Sequence, residues 1–262
     1  MLKDIRELKG AKLQARDGEL GKIKDLYFDD ESWIVRYLVA DTGNWLPGRQ
    51  VLISPFAVQK LSSIVGHRIE VNLTKKQIEE SPSIDTHMPV SRQFEIEYYQ
   101  YYNWPIYWSG PWAWGPVPYP DGVTPGTIPP PLPPRLDTEK VPPADRHLRS
   151  VDNVTGYAIQ TLDDHFGHIE SFIVDEQDWA IRYLVADTRN WLPGKRVLLP
   201  ADWISSVSWD ESRVYVDLDR ETVKRAPEYD HSKPITRDYE GSLFTHYGRT
   251  PYWEASAAAK AA

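Results

Sequence analysis

Residues 33–52 read WIVRYLVADTGNWLPGRQVL, and residues 179–198 read WAIRYLVADTRNWLPGKRVL. The strings RYLVADT and NWLPG recur unchanged at a spacing of 146 residues. Identity of this length does not arise by chance, so the chain contains a duplicated unit. The fold can therefore be predicted from one repeat and checked against the other.

The duplication extends on both sides of this stretch. Upstream, Gly10 matches Gly156; downstream, after a gap of one residue, Pro82 matches Pro227. A repeat of about 100 residues has the usual size of a domain. The sequence predicts a first domain at residues 1–108, a linker at 109–145, a second domain at 146–254 and a flexible tail at 255–262.

Each repeat has the pattern of an all-β domain. Short runs of β-branched and aromatic residues alternate with turn residues, which is typical of a small barrel. In the first repeat these runs are 12–16, 21–29, 33–40, 49–53 and 68–72. A short helix should follow, capped by Thr74 in one repeat and by Asp219 in the other. The predicted fold class is mainly β, with two small β-barrels that each end in a short helix.

The segment between the repeats is rich in proline and tryptophan. Residues 110–135 read GPWAWGPVPYPDGVTPGTIPPPLPPR, and proline at this density favours an extended polyproline II linker. Pro130 to Arg135 also form a P-x-x-P-x-R ligand motif, for which the linker interpretation is preferred because such short motifs recur by accident. Trp112 and Trp114 are candidate contact residues, since exposed tryptophans reduce solubility unless they pack on a surface.

The order of these motifs resembles the PRC-barrel domain, over Gly10 to about Pro82 and Gly156 to about Pro227. That family is named for the cytoplasmic domain of the photosynthetic reaction-centre H subunit, and it includes a domain of a ribosome maturation factor. The resemblance implies small barrels that dock on other proteins. The H subunit carries an N-terminal membrane helix and the ribosome factor a different N-terminal barrel, so the likeness is closer to free-standing bacterial tandem proteins.

Composition excludes several classes of function. The net charge is -8, which opposes binding to phosphate backbones, so no direct nucleic-acid partner is expected. The absence of cysteine excludes disulfides and cysteine-ligated metals. No apolar run approaches the roughly 18 residues of a membrane helix, which makes a cytoplasmic protein the default expectation.

The duplicated motif contains polar and aromatic residues that could form a site. Asp41 and Asp187 end a strand, where carboxyl groups usually start a turn. Arg36 lies among apolar neighbours and needs a partner, for which Asp25 or Asp29 is predicted. The full set of repeat-motif residues is Arg36, Asp41, Trp45, Arg182, Asp187 and Trp191.

The sequence predicts no enzyme. His165 and His168 are placed in a solvated turn, and their counterparts are Glu19 and Lys22, so no duplicated metal site is expected. The chain lacks the usual nucleophile, phosphate-binding, dinucleotide and zinc-protease motifs. No catalytic residue, metal or cofactor is therefore predicted.

After each short helix, an aromatic arm repeats at a spacing of 145 residues. The arm should bury its aromatics on its own barrel, on the other repeat or on another chain, and these three surfaces remain open. The arm residues are Phe94, Tyr102, Tyr107, Trp108, Tyr239, Tyr247, Tyr252 and Trp253.

The hypothesis for function is a non-enzymatic protein-interaction scaffold or adaptor, with a stress-associated role as one option. One alternative is a photosynthetic reaction-centre or electron-transfer assembly factor, which would associate with membrane complexes peripherally. Another is a ribosome-assembly factor. The protein partner is not identified by the sequence, and a homo-oligomer is a further option.

Overall fold

The computed structural model describes residues 1–47, 49–59, 68–84, 90–122, 147–188 and 195–254. The protein is mainly β, with two sheets, and it divides into two compact units. The first unit comprises residues 1, 3–153 and 174–181, and the second comprises 2, 154–173 and 182–262. The first unit thus includes segments of both repeats, and the domain boundaries at 108 and 146 stay a prediction for isolated fragments.

Two predicted segments lie partly or wholly outside the described residues. One is the linker, of which residues 123–145 with the Pro130 to Arg135 motif lie outside, and the other is the tail at 255–262.

The two repeats contain corresponding elements in the same order. The first repeat has β1 (Leu2–Asp4), α1 (Ile5–Leu8), β2 (Lys12–Ala15), β3 (Gly18–Asp29), β4 (Ile34–Asp41), β5 (Val51–Ile53), β6 (Arg68–Glu70), α2 (Lys75–Glu79) and α3 (Arg92–Tyr102). The second has β7 (Leu148–Ser150), α4 (Val151–Val154), β8 (Ala158–Gln160), β9 (His165–Asp175), β10 (Ile181–Asp187), β11 (Arg196–Pro200), β12 (Ile204–Ser208), β13 (Arg213–Val216), α5 (Arg220–Arg225) and α6 (Arg237–Tyr247).

The sheet of the first unit has the strand order β5-β4-β3-β2-β6, and β7 pairs with β3. In that last pair Phe28 lies opposite Arg149. Asp25 fixes the end of β7, because its carboxyl group accepts hydrogen bonds from Ser150 Oγ at 2.5 Å and from the amide of Asp152 at 3.2 Å. The leading strand of the second repeat is therefore part of the first unit.

The sheet of the second unit has the order β11-β10-β9-β8-β13-β12. Over the described ranges, the pairings of each sheet form an open order. Closure of each sheet into a barrel therefore stays a prediction.

The central strand of each unit is buried along almost its whole length, which explains why its sequence is almost continuously apolar. In β4, every residue from Ile34 to Ala40 is buried, and β10 is similarly enclosed. A glycine is required beside each of these strands. A Cβ on Gly21 would lie 2.0 Å from the carbonyl oxygen of Asp41, and one on Gly167 would lie 2.2 Å from that of Asp187.

The predicted short helices are confirmed in both repeats. Thr74 and Gln77 form a capping box at α2, and the Asp219 carboxyl group caps α5 by accepting from the amide of Thr222. Within the described parts of the chain, no helix is long and apolar enough to cross a membrane.

Helices α3 and α6 were not predicted, since the sequence indicated only aromatic arms there. Ser91 caps the start of α3, and Asn103 ends it in a left-handed conformation with φ of 55°. The helix lies on β4, where the rings of Tyr98 and Tyr99 are 5.5 and 6.3 Å from that of Tyr37. The helix therefore covers the face of β4 that carries Tyr37.

Candidate functional site: the aromatic arms and their buried carboxyl groups

We define the first arm as residues 91–108 and the second arm as residues 236–253. Each arm consists of a helix and the segment that follows it, and each packs on the sheet of its own unit. In the second unit, Phe244 contacts Trp203 at 5.4 Å and Tyr183 at 6.5 Å between ring centroids. The aromatics of the arms are therefore the contact between helix and sheet.

A fully buried carboxyl group lies at the centre of the first arm. Glu95 has no exposed surface, and its Oε1 accepts hydrogen bonds from the hydroxyls of Tyr37 and Tyr107, both at 3.0 Å. Its Oε2 lies 2.9 Å from Nε2 of His147 and 3.4 Å from Nη1 of Arg92. A buried acid is tolerated only when its oxygens are satisfied in this way.

The second arm repeats this arrangement around Glu240. Its Oε1 accepts from Tyr183 at 2.7 Å and from Tyr252 at 3.0 Å, while Oε2 lies 3.0 Å from Nη1 of Arg237. Met1 occupies the position that corresponds to His147. The histidine therefore belongs to the first cluster alone.

The hydroxyls that donate to these acids are held in their protonated form. Burial, reinforced by the nearby Glu95, raises the pKa of Tyr37 and of Tyr107 well above the usual value. In the second arm, burial and Glu240 raise the pKa of Tyr183 and raise that of Tyr252 to about 12. These groups stay hydrogen-bond donors throughout the neutral pH range, which suits a structural role.

Guanidinium groups lie on the rings at the end of each arm. Arg36 lies 3.8 Å from the ring centre of Tyr107, and Arg92 lies 4.2 Å from that of Trp108. In the second arm the matching distances are 4.5 Å for Arg182 over Tyr252 and 4.1 Å for Arg237 over Trp253. Cation–π contacts thus fix the end of the arm in both repeats.

The partner predicted for Arg36 was wrong. Its Nη1 donates to the carbonyl oxygen of Ala113 at 2.6 Å and its Nη2 to Ser32 Oγ at 3.2 Å. Asp29 instead accepts from Ser32, and Asp25 accepts from β7 as described above. The guanidinium lies over the rings of Tyr107 and Trp114, and no carboxyl group among the described residues forms an ion pair with it.

The predicted arm residues differ in burial. Tyr107 and Tyr247 are buried, and the others are half-buried: Phe94, Tyr102, Trp108, Tyr239, Tyr252 and Trp253. Tyr102 stacks on Trp104 with ring centroids 4.5 Å apart, and Tyr247 contacts Trp203 at 4.9 Å. The structure brings each set of four together on one sheet face.

The two linker tryptophans have opposite environments. Trp114 is fully buried, and its indole nitrogen donates to the carbonyl oxygen of Asp178 at 2.9 Å. Trp112 is 49% exposed. One therefore belongs to the core of the first unit, whereas the other faces solvent.

The remaining repeat-motif residues that the structure describes form no common site. Asp41 is exposed and accepts from the amide of Gly43 at 3.0 Å, and Trp45 lies under the ammonium group of Lys75 at 4.6 Å. Asp187 is buried, 3.9 Å from Nε2 of His168. Trp191 lies outside the described residues.

The sequence predicted that His165 and His168 lie in a turn, and the structure shows that they do not. Both belong to strand β9, where a β-bulge separates them: His165 pairs with Gln160 and His168 with Ala158. Among the residues that the structure describes, no group of three acidic or histidine side chains could hold a metal ion.

Sequence reasoning missed the acids at the centre of the arms. The sequence contains the matched pairs Arg92 with Arg237 and Glu95 with Glu240, but its aromatic pattern alone predicts an arm without a central acid. A polar pair kept at the same spacing inside an otherwise aromatic segment is the signal that could have found them. His147 had no such signal, because it has no repeated counterpart.

Comparison with protein-family models places a PRC-barrel domain at residues 2–78 and again at 147–223. The two matches cover more than half of the chain, and both end before the aromatic arms. Comparison with curated proteins gives no match. The chain belongs to the PRC-barrel domain family and carries two copies of the domain in tandem.

Proposed function

We propose that this protein is a non-enzymatic scaffold or adaptor that binds another protein through the first unit. Membership of the PRC-barrel family supports an interaction or assembly role in general. The observation that carries the specific proposal is the exposed side chain of Trp112 on a firmly held turn.

The turn that presents Trp112 is closed by two backbone hydrogen bonds. Trp112 and Gly115 exchange amide to carbonyl bonds of 3.1 and 3.0 Å. Gly115 has φ of 76°, and a Cβ there would lie 2.5 Å from the carbonyl oxygen of Ile106. Only glycine fits at this position, so the turn is fixed by its sequence.

Ala113 and Trp114 anchor the turn to the first unit. The carbonyl oxygen of Ala113 accepts from Arg36, and the ring of Trp114 packs edge-on against Phe56 at 5.1 Å. A backbone held in this way loses little entropy on binding. Tryptophan is enriched among residues that dominate the energy of protein interfaces.

The ionisable groups around the arms support a structural rather than a catalytic interpretation. Glu95 and Glu240 are buried beneath aromatic rings and hold hydroxyls that stay protonated. They stabilise the packing of the arms, and the interaction surface lies beyond them at Trp112.

Affinity capture from the native cell tests this proposal, with Trp112→Ala compared against wild type. Leu162→Ala is a matched control, because Leu162 is an apolar residue of the second unit that is 70% exposed. We expect a partner that binds the purified wild-type protein directly and loses at least about tenfold affinity with Trp112→Ala alone. A partner retained by Trp112→Ala, or enzymatic turnover by the protein alone, would contradict the proposal.

The identity of the captured partner separates the narrower hypotheses. Components of photosynthetic or electron-transfer complexes in membrane fractions would support an assembly factor of that kind. Co-sedimentation with small ribosomal subunits would support a role in ribosome assembly. Partners that accumulate under stress would support a stress-associated adaptor.

A further inference from the structure

A cavity of about 260 Å3 lies beside α3 in the first unit. Its wall includes one cationic side chain, two amides and four aromatic rings. The cation and the amides are Arg16, Asn72 and Gln77, and the rings are Phe56, Tyr101, Tyr102 and Trp104.

The charge of Arg16 is not neutralised within the described residues. Its side chain is exposed, and its Nε donates to Oδ1 of Asn72 at 2.6 Å. Asn72 is an uncharged acceptor, and no carboxyl group in the described ranges forms an ion pair with Arg16. The two terminal nitrogens of the guanidinium therefore keep their capacity to bind an anion.

At the corresponding location of the second unit, the positive charge is already paired with a carboxyl group. The residue that matches Asn72 is Asp217, and the one that matches Trp104 is Arg249. Nη2 of Arg249 lies 3.3 Å from Oδ2 of Asp217, and the guanidinium lies 5.7 Å from the ring centre of Trp203. Here a guanidinium, a carboxyl group and a tryptophan are all supplied by the chain itself.

We propose that the cavity at Arg16 binds a carboxyl group from an acidic segment of a partner protein. The external carboxylate would take the part that Asp217 plays in the second unit. Arginine suits this part because its planar group can donate two parallel hydrogen bonds to a carboxylate. This inference rests on the proposed interaction role and names the chemistry of the partner segment.

The aromatic wall provides the second half of the recognition. Tyr102 and Trp104 stack with an interplanar angle of 17° and line the same cavity as the cation. Tyr101 is 40% exposed at the rim, and its hydroxyl is fixed by donation to the carbonyl oxygen of Gln77 at 2.9 Å. Such a wall suits the aliphatic part of a glutamate and an apolar neighbour.

Fluorescence anisotropy on the full-length protein tests the proposal with a labelled Glu-Leu-Glu-Leu-Glu peptide and its Gln-Leu-Gln-Leu-Gln counterpart. We expect the acidic peptide to bind more tightly than the amide peptide. Arg16→Leu, which introduces the residue found at position 162, should weaken binding of the acidic peptide by about tenfold or more.

Asn72→Asp is the more discriminating variant, because it introduces the carboxyl group of the second unit. It should pair with Arg16 and exclude the peptide while leaving the fold intact. Arg249→Leu is the matched control and should leave the affinity unchanged, since that guanidinium is already paired.

Three results would overturn the inference: no binding of the acidic peptide, equal binding of both peptides, or unchanged binding to Arg16→Leu and Asn72→Asp. Each would leave a Trp112-dependent partner in place, so failure of the cavity is distinguishable from failure of the proposed scaffold. If the acidic peptide binds but no partner depends on Trp112, the result would contradict the proposed scaffold and leave the cavity inference in place.

Discussion

The two arms keep their central acid but differ in how they reach the neighbouring strand. In the first unit the hydroxyl of Tyr98 donates to the carbonyl oxygen of Leu52 at 2.9 Å. In the second unit the matching helix position is Leu243, and the hydroxyl of Tyr247 reaches the matching carbonyl of Leu198 at 3.4 Å. The same backbone group is therefore satisfied from two different turns of the helix.

The comparison shows which features the duplicated fold requires. Among the described residues, the acid, its two tyrosine donors and the adjacent arginine occur in both units, whereas the histidine and a cavity cation without an ion pair occur only in the first. Shared features are those that hold an arm on its sheet. Features of one unit alone are candidates for binding, because the fold of the other unit forms without them.

The largest expected effect is the removal of the aromatic pair at the end of an arm. Tyr107→Ala with Trp108→Ala should lower the free energy of unfolding of the first unit by about 4 to 6 kcal/mol, because Tyr107 is buried and both rings contact arginines. Tyr252→Ala with Trp253→Ala should cost about 2 to 4 kcal/mol, since these rings are half-buried. Urea unfolding of the full chain measures both. Equal effects would show that the two arms do not differ in burial as described.

High pH should weaken both units in the same direction. Burial raises the pKa of Tyr37, Tyr107 and Tyr183 above the usual value and that of Tyr252 to about 12, so the folded state binds their protons more tightly than the unfolded state. Their stabilisation is complete below about pH 10 and is lost as pH rises toward the folded-state pKa. The free energy of unfolding should fall by about 1 kcal/mol per tyrosine between pH 10 and 11. Urea unfolding as a function of pH measures this, and a flat profile would contradict it.

A smaller effect is expected when the hydrogen bonds of Tyr98 on α3 are removed. Tyr98→Leu, which introduces the residue of the second arm, removes the donor to Leu52 and the acceptor of the Ser54 amide. We expect a loss of about 1 to 3 kcal/mol in the free energy of unfolding, measured in urea.

Tyr99→Phe is its matched control, since the second arm has Phe244 there and the Tyr99 hydroxyl forms no hydrogen bond within 3.5 Å among the described residues. It should leave stability unchanged or raise it by about 1 kcal/mol. A loss larger than that of Tyr98→Leu would mean that the two hydroxyls have the opposite roles.

The main features of the fold could be predicted because the same sequence pattern occurs in both repeats. Repeated apolar runs indicated β3, β4, β9 and β10, and the Thr74 and Asp219 caps located α2 and α5. Helices α3 and α6 were missed because their aromatics face a sheet that local pattern does not reveal.

Other features depend on contacts between distant residues. Trp33 and Trp179 both adopt a left-handed backbone, with φ of 55° and 61°, which their residue type disfavours. The pairing of β7 with β3 joins residues about 120 positions apart. Glu95 and His147 meet only because that strand and the first arm belong to one unit.

The central claim is that each arm is a folded part of its own unit, held by its buried acid. Hydrogen exchange of the full-length Glu95→Leu and Glu240→Leu variants tests it most directly. Glu95→Leu leaves the hydroxyls of Tyr37 and Tyr107 without their acceptor, so amide exchange should accelerate in α3 and β4 but not in α6 and β10. Glu240→Leu should give the reverse pattern. Rapid exchange of α3 and α6 in the wild-type protein, or no change in either variant, would contradict the account.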